Sequence, residues 1–317
     1  MAFAQGSRSS LSYSVETTFG TAVTPTLNLP FSTHSLNMTK DRVAGTDIES
    51  DRMPRVDRHG NKQVAGDIVA DLRDADYDAF LESAMLSSFG AVTTDVLKVG
   101  VAPKFFTIED RADDINLPNG LVRRFTGMTV NSLGISIAPN QMITATYGMV
   151  GKEMTLSTDV GFTPAAADLD PPDTTPKPFD AYSGNVKIAN SGSALGATTI
   201  VTGLDFTLTN GFAPTFVVGS DSAPSLEFGR AEVEGTVSMY FEDNSFIDRF
   251  VNETETALEV QVGDGTNTMT FTFPRVKINS ADVGVDGPTS RIITASFIAL
   301  RDDTANTNLQ ITRSPDP

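Results

Sequence analysis

Ile143-Thr144-Ala145-Thr146-Tyr147-Gly148-Met149-Val150 and Ile293-Thr294-Ala295-Ser296-Phe297-Ile298-Ala299-Leu300 read as one strand written twice, 150 positions apart. Upstream, Phe125-Thr126-Gly127-Met128-Thr129-Val130-Asn131-Ser132 parallels Phe273-Pro274-Arg275-Val276-Lys277-Ile278-Asn279-Ser280 at an offset of 148. A third block matches Gln63-Val64-Ala65-Gly66-Asp67-Ile68 to Glu232-Val233-Glu234-Gly235-Thr236-Val237, and a weaker one sets Leu36 and Met38 against Phe206 and Leu208. Matching blocks in one order indicate an internal duplication, and a repeat of this length decides how the whole chain is read.

Each copy reads as strands around one short helix. Leu133/Ile135/Ile137 alternate with Gly134/Ser136/Ala138, and Val283/Val285 alternate with Asp282/Gly284/Asp286, the period of a half-buried strand. The helix of the first copy carries Tyr77, Phe80 and Leu81 on one stripe with Asp74 as its expected cap. In the second copy Asp243 is the expected cap, and Phe246, Ile247, Phe250 and Val251 are expected to pack. The expected fold is therefore mainly β, two tandem copies of a β-sandwich or split-barrel module, each with one flanking short α-helix.

The expected boundaries are an N-terminal arm at 1–29, module 1 at 30–157, a linker at 158–181, module 2 at 182–303 and a C-terminal tail at 304–317. Pro164, Pro171, Pro172, Pro176 and Pro178 give the linker its stiffness. The first copy carries an insertion around Ser87 to Asn119.

Composition narrows the function. The 317 residues contain no cysteine, which removes disulfides, thiolate metal sites and cysteine nucleophiles. Lys+Arg 23 against Asp+Glu 40 gives a net charge of -17, opposite to what a protein gripping phosphates needs. No run of 18 apolar residues exists to span a membrane, and residues 1–10, MAFAQGSRSS, lack the apolar core of a signal peptide. His34 and His59 are the only histidines, and neither has the neighbours of a catalytic triad or a zinc site. Asp71, Asp74, Asp76 and Asp78 read as helix-start acids ahead of a cation site, and Gly263-Asp264-Gly265-Thr266-Asn267 as a hairpin turn. No enzyme, cofactor or metal is expected. A duplicated β module with open sheet edges points instead to assembly with copies of itself.

Gln5-Gly6-Ser7-Arg8-Ser9-Ser10-Leu11-Ser12-Tyr13 with Glu16-Thr17-Thr18-Phe19-Gly20 resembles the N-terminal stretch of the major tail tube proteins of long-tailed, non-contractile (siphovirus-type) bacteriophages. So do Phe125-Thr126-Gly127 with Val130-Asn131-Ser132, the segment ending Thr209-Asn210-Gly211, and residues 233–250. The resemblance implies a structural virion protein of the phage tail, assembled in the host cytoplasm. Six modules would surround a β-barrel channel, in stacked rings through which the genome passes without specific binding. Two modules per chain then imply a homotrimer ring with pseudo-sixfold symmetry, a homohexamer being the alternative. Tail terminator, distal tail and tape measure proteins are the implied partners. Asp67, Asp71, Asp282 and Asp286 would line a negative lumen, and the loops 40–61 and 211–230 with the N-terminal arm would touch neighbouring rings. The rival reading is another β-rich virion component: a terminator, decoration or capsid-associated protein.

Overall fold

The computed structural model describes residues 3–48, 50–51, 53, 55–90, 95–112, 114–115, 120–157, 177–198, 200–285 and 287–314. Chain order is β1 (Ser9–Val15), β2 (Leu27–Leu29), β3 (Thr33–His34), β4 (Asn37–Ala44), β5 (Asp57–Asp71), α1 (Asp78–Met85), β6 (Val96–Lys98), β7 (Phe106–Ala112), β8 (Leu121–Ile137), β9 (Thr144–Gly151) and β10 (Glu153–Ser157). It continues with β11 (Asp180–Asn190), β12 (Gly196–Thr198), β13 (Val201–Thr209), β14 (Ala213–Thr215), β15 (Ser225–Glu227), β16 (Glu232–Tyr240), α2 (Ser245–Val251), β17 (Thr256–Gly263), β18 (Thr268–Val283), β19 (Ile292–Ala299) and β20 (Gln310–Ser314). The fold is mainly β, as expected.

β8 and β18 organise the molecule because each is long enough to serve two sheets. The first half of β8 pairs with β7 and β10, and its second half pairs with β9 and β13. The first half of β18 pairs with β17 and β20, and its second half with β19. β8 turns at Gly127, whose φ of +63° suits glycine, and β18 carries Pro274 in the corresponding stretch. Past each turn lies a bulge: the ladder to the following strand skips between Val130 and Ser132, and between Ile278 and Ser280.

The alternations land as expected. Leu133, Ile135, Ile143, Ala145 and Tyr147 are buried, as are Val237, Met239, Ile293, Ala295 and Phe297. They join one continuous core that spans both halves of the chain. Phe206 sits at its centre, with ring centroids 5.2 Å from Phe271 and 5.0 Å from Phe273. Phe206→Ala should cost about 3–5 kcal/mol through lost contacts and the cavity left behind, read as a shifted midpoint in urea unfolding.

α1 buries Phe80, Leu81, Ala84 and Met85 at helical spacing and stops where Leu86 turns left-handed (φ 48°). Asp74 is not its cap. A turn built on Ala75 at φ 64° intervenes, Tyr77 takes the cap position without a side-chain bond, and Asp74 is buried four residues ahead of the helix. Asp243 comes closer to its expected role: its Oδ1 accepts the Ser245 N–H at 2.8 Å, one residue outside the cap position held by Asn244. Around α2, Phe246 and Ile247 pack against the core, whereas Phe250 and Val251 are exposed.

Both ends of the chain differ from the free arms expected. β1 lies between β2 and β7 and buries Leu11 and Tyr13. Glu16 then reaches β8, accepting N–H groups from Gly20 (2.7 Å) and Gly127 (2.8 Å) and the Thr107 hydroxyl (2.9 Å). Burial raises its pKa, and those bonds hold it down against that rise. At the other end β20 is clamped between β18 and β6, with Leu309 and Ile311 fully buried. Of the expected linker, residues 158–176 lie outside the described residues. Its last residues are structured: Phe179 is fully buried, donates to the Leu72 carbonyl and accepts from Ile143, and Asp180 opens β11.

Candidate assembly surface

Seven antiparallel ladders set eight strands in one run: β4, β5, β9, β8, β13, β16, β19 and β18. The seam between the two halves of the chain is the β8–β13 ladder, from Ile137 opposite Leu204 to Ser132 opposite Thr209. It is reinforced by Asn210, whose side-chain amide donates to the carbonyls of Ala84 (2.8 Å) and Val130 (3.2 Å).

One face of this sheet carries the core. Since side chains alternate along a strand and cross-strand partners share a face, the ladders also give the composition of the other face. One row across it reads Asp71, Thr144, Ser136, Asp205, Thr236, Ser296 and Ser280. The next but one reads Asp67, Gly148, Ser132, Thr209 and Glu232. Hydroxyls tie the rows sideways, Ser136 donating to Asp205 and the Ser280 and Ser296 hydroxyls meeting at 2.5 Å. The row between them reads Val69, Thr146, Gly134, Thr207, Glu234, Ile298 and Lys277, and Lys277 is paired with Glu253 at 2.6 Å. The face is thus mostly small and polar, with carboxylates outnumbering its one cation in these rows.

Of the four acids expected to act together, Asp67, Asp71 and Asp282 stand on this face, Asp282 opposite Thr294. Asp286 lies outside the described residues. Asp205, Glu232 and Glu234 share the face and were not among the expected residues; the alternation of Leu204, Phe206 and Leu208 with Asp205 and Thr207 was the available signal. Among the described residues, no cluster of three or more His, Cys, Asp or Glu is arranged to hold a metal.

The run ends in two edges that lack a further ladder, although at the first of them Leu36 is buried and its carbonyl accepts from Arg123 at 3.5 Å. Among the described residues, β3 and β4 have ladders only with β5, and β18 beyond Val276 only with β19. Beyond its paired stretch the β4–β5 hairpin projects into solvent, with Ile48 and Met53 exposed. The loop around β14 and β15 touches its base, where Lys62 bonds both Glu153 (2.8 Å) and Asp221 (3.1 Å).

No curated protein matches the sequence. The family model described as phage tail tube protein matches residues 6–299, a span that takes in the whole eight-stranded run and both free edges. A β-rich chain with an eight-stranded run, mostly polar on its open face and without a further ladder at either end among the described residues, belongs, by that match, to the phage tail tube protein family.

Proposed function

We propose that the chain is the tube subunit of a long, non-contractile phage tail, three copies closing a pseudo-sixfold ring whose eight-stranded sheets form the wall of a DNA channel. The observation that carries this reading is the acidic, hydroxyl-rich face bounded by two free edges. An edge left open in a soluble chain invites another strand, and closing a ring removes every edge. A wall of carboxylates repels the phosphate backbone, so DNA slides past without adhering. Asp67, Asp71, Asp205, Glu232 and Asp282 are the proposed lumen residues. Membership in a structural family implies a non-enzymatic role in the virion tail. No helix among the described residues is long and apolar enough to cross a membrane.

The threefold count rests on reading the chain as two copies of one module, and local geometry supports that reading. The bulges after Val130 and Ile278 fall 148 positions apart, the offset of the sequence match there. Gly66 and Gly235 each lie against one carbonyl: a Cβ on Gly66 would sit 2.5 Å from the Ser35 oxygen, and on Gly235 2.6 Å from the Asp205 oxygen. In this reading β1 and β11 are also equivalent, β1 lying along β7, which follows α1 and the short β6, and β11 along β17, which follows α2, so module 1 begins near Ser9 and not at residue 30. The terminator, distal tail and tape measure proteins are the partners proposed for the tube's ends and interior, and the β4–β5 hairpin and the β14–β15 loop for contacts between rings.

Purified protein imaged by electron microscopy tests the proposal. Tubes whose averaged rings show three chains of two modules are expected. Rings of six chains would refute the trimer, and discrete particles that never stack would refute the tube.

A further inference from the structure

We infer that the free edge of β18 in one copy pairs with the β3–β4 edge of the next copy in the register of the internal β8–β13 seam, setting Ser280 opposite Thr39, Ala281 opposite Met38, Asp282 opposite Asn37 and Val283 opposite Leu36. This rests on the tube reading and adds to it the contact that joins one chain to its neighbour.

The register follows from two offsets. The paired bulges relate β8 to β18 by 148 positions, so Ser132 and Ile135 correspond to Ser280 and Val283. Leu204 lies opposite Val237 and His34 opposite Ile68, and Val237 corresponds to Ile68 through the Gly235–Gly66 match. β13 therefore maps onto β3–β4 at 170 positions. Ser35 and Asp205, whose carbonyls press on those glycines, stand at the same 170. Carrying the seam pairs Ser132–Thr209 and Ile135–Phe206 through these offsets gives Ser280–Thr39 and Val283–Leu36.

The resulting pairs match in chemistry without having been chosen for it. Leu36 is buried and Met38 and Val283 are packed against the core, so Ala281–Met38 and Val283–Leu36 continue the apolar face. Thr39 pairs within the chain with Gln63 and Ser280 with Ser296, both on the polar face, so Ser280–Thr39 continues that face. A slip of one residue would set Val283 against a polar position and reverse both faces, which makes the register specific. The seam between chains is also built from smaller side chains than the one within it, where Leu133 meets Leu208 and Ile135 meets Phe206.

The chain has no cysteine, so engineered pairs report without background. Partners in an antiparallel ladder have Cα atoms about 4.5–5.5 Å apart, within disulfide reach. The two edges lie seven strand spacings apart in the run, on the order of 30 Å at ordinary strand spacing, so any bond must join two chains. Assembled tubes of a Ser280→Cys, Thr39→Cys double variant, oxidised and run on a non-reducing gel, should give covalent multimers in most of the protein. Ser280→Cys with Asn37→Cys, displaced by one pleat, should give at least fivefold less. Tubes in which the Asn37 pair links and the Thr39 pair does not would overturn the register and leave the tube reading standing. Tubes in which neither links would overturn the edge pairing. Failure of the cysteine-free parent to form tubes at all would overturn the tube reading, and the seam with it.

Discussion

Arg313→Met should destabilise the folded chain by about 3–5 kcal/mol at pH 8, the range for stripping one partner from a buried charge pair. Arg313 is buried on β20. Its guanidinium bonds Asp95 from Nη2 at 2.8 Å, pairs with Asp78 at the start of α1, and lies 4.0 Å above the Phe89 ring. Three segments distant in sequence meet on this one side chain. Methionine keeps the packing on Phe89 but leaves the carboxylates of Asp78 and Asp95 facing each other. Burial already pushes Asp78 up to about 6 against the pull of Arg313, and burial raises Asp74 as well. The sign of the pH effect follows. A carboxyl whose folded pKa exceeds its unfolded value, near 4, stabilises the fold in its protonated form. That contribution is full below about 4 and lost as pH rises through about 6. The deficit of Arg313→Met should therefore shrink between pH 8 and pH 5, when the unpaired carboxyls can take up protons. Urea unfolding at the two pH values checks it, and a deficit independent of pH would contradict the assignment.

This ion cluster shows where the sequence stops being legible. Period-two alternation carries one strand at a time, and it located the core faces of β8, β9, β16 and β19 residue by residue. It says nothing about which strands become neighbours. β20 and the residue before it offer only Ile311 and Leu309 as an apolar signal, and β1 only Leu11, Tyr13 and Val15, too short a pattern to distinguish either from an arm. Asp74 had the sequence position of a cap, but the left-handed Ala75 moves the helix start, and backbone sign is not written in a Thr- or Ala-like residue type. The match of the last strands is another such case. Compared at 150 positions, Tyr147 aligns with Phe297. Counted from Gly66 and Gly235, the ladders pair Met149 and Phe297, an offset of 148. A slip of two residues keeps every side chain on its face, so apolar matching cannot distinguish the two; only hydrogen-bonded register can. Val285 shows the same limit from the other side. It continues a core-facing alternation yet is 70% exposed, two residues past the end of β18.

Gly235→Val and Gly66→Val should fail in different ways although the two glycines hold equivalent places. A Cβ on Gly235 would lie 2.6 Å from the Asp205 carbonyl oxygen and 2.5 Å from Cζ of Phe297, well inside van der Waals contact. Neither obstacle can move far. Asp205 is laddered on both sides, to Thr236 and to Ser136, and Phe297 packs edge-on against Phe273 with centroids 5.6 Å apart. Overpacking a site with no room to relax costs about 3 kcal/mol or more, and with a β-branched residue it should leave little folded protein. On Gly66 the crowding comes from backbone, 2.5 Å to the Ser35 oxygen and 2.6 Å to the Leu36 Cα, and the glycine's own φ of +150° adds strain for any side chain. There, however, the crowded strand is paired on one side only. β3 and the start of β4 can peel from β5 while β5 keeps its ladder to β9, so Gly66→Val should remain folded, with a lower melting temperature. The segment that peels is the one proposed to receive β18 of the next chain. The expected result is a β-rich far-ultraviolet circular dichroism spectrum from Gly66→Val with no tubes in negative stain, and no cooperative unfolding from Gly235→Val. Tubes formed by a folded Gly66→Val would show that the β3–β4 edge is not part of the contact between chains.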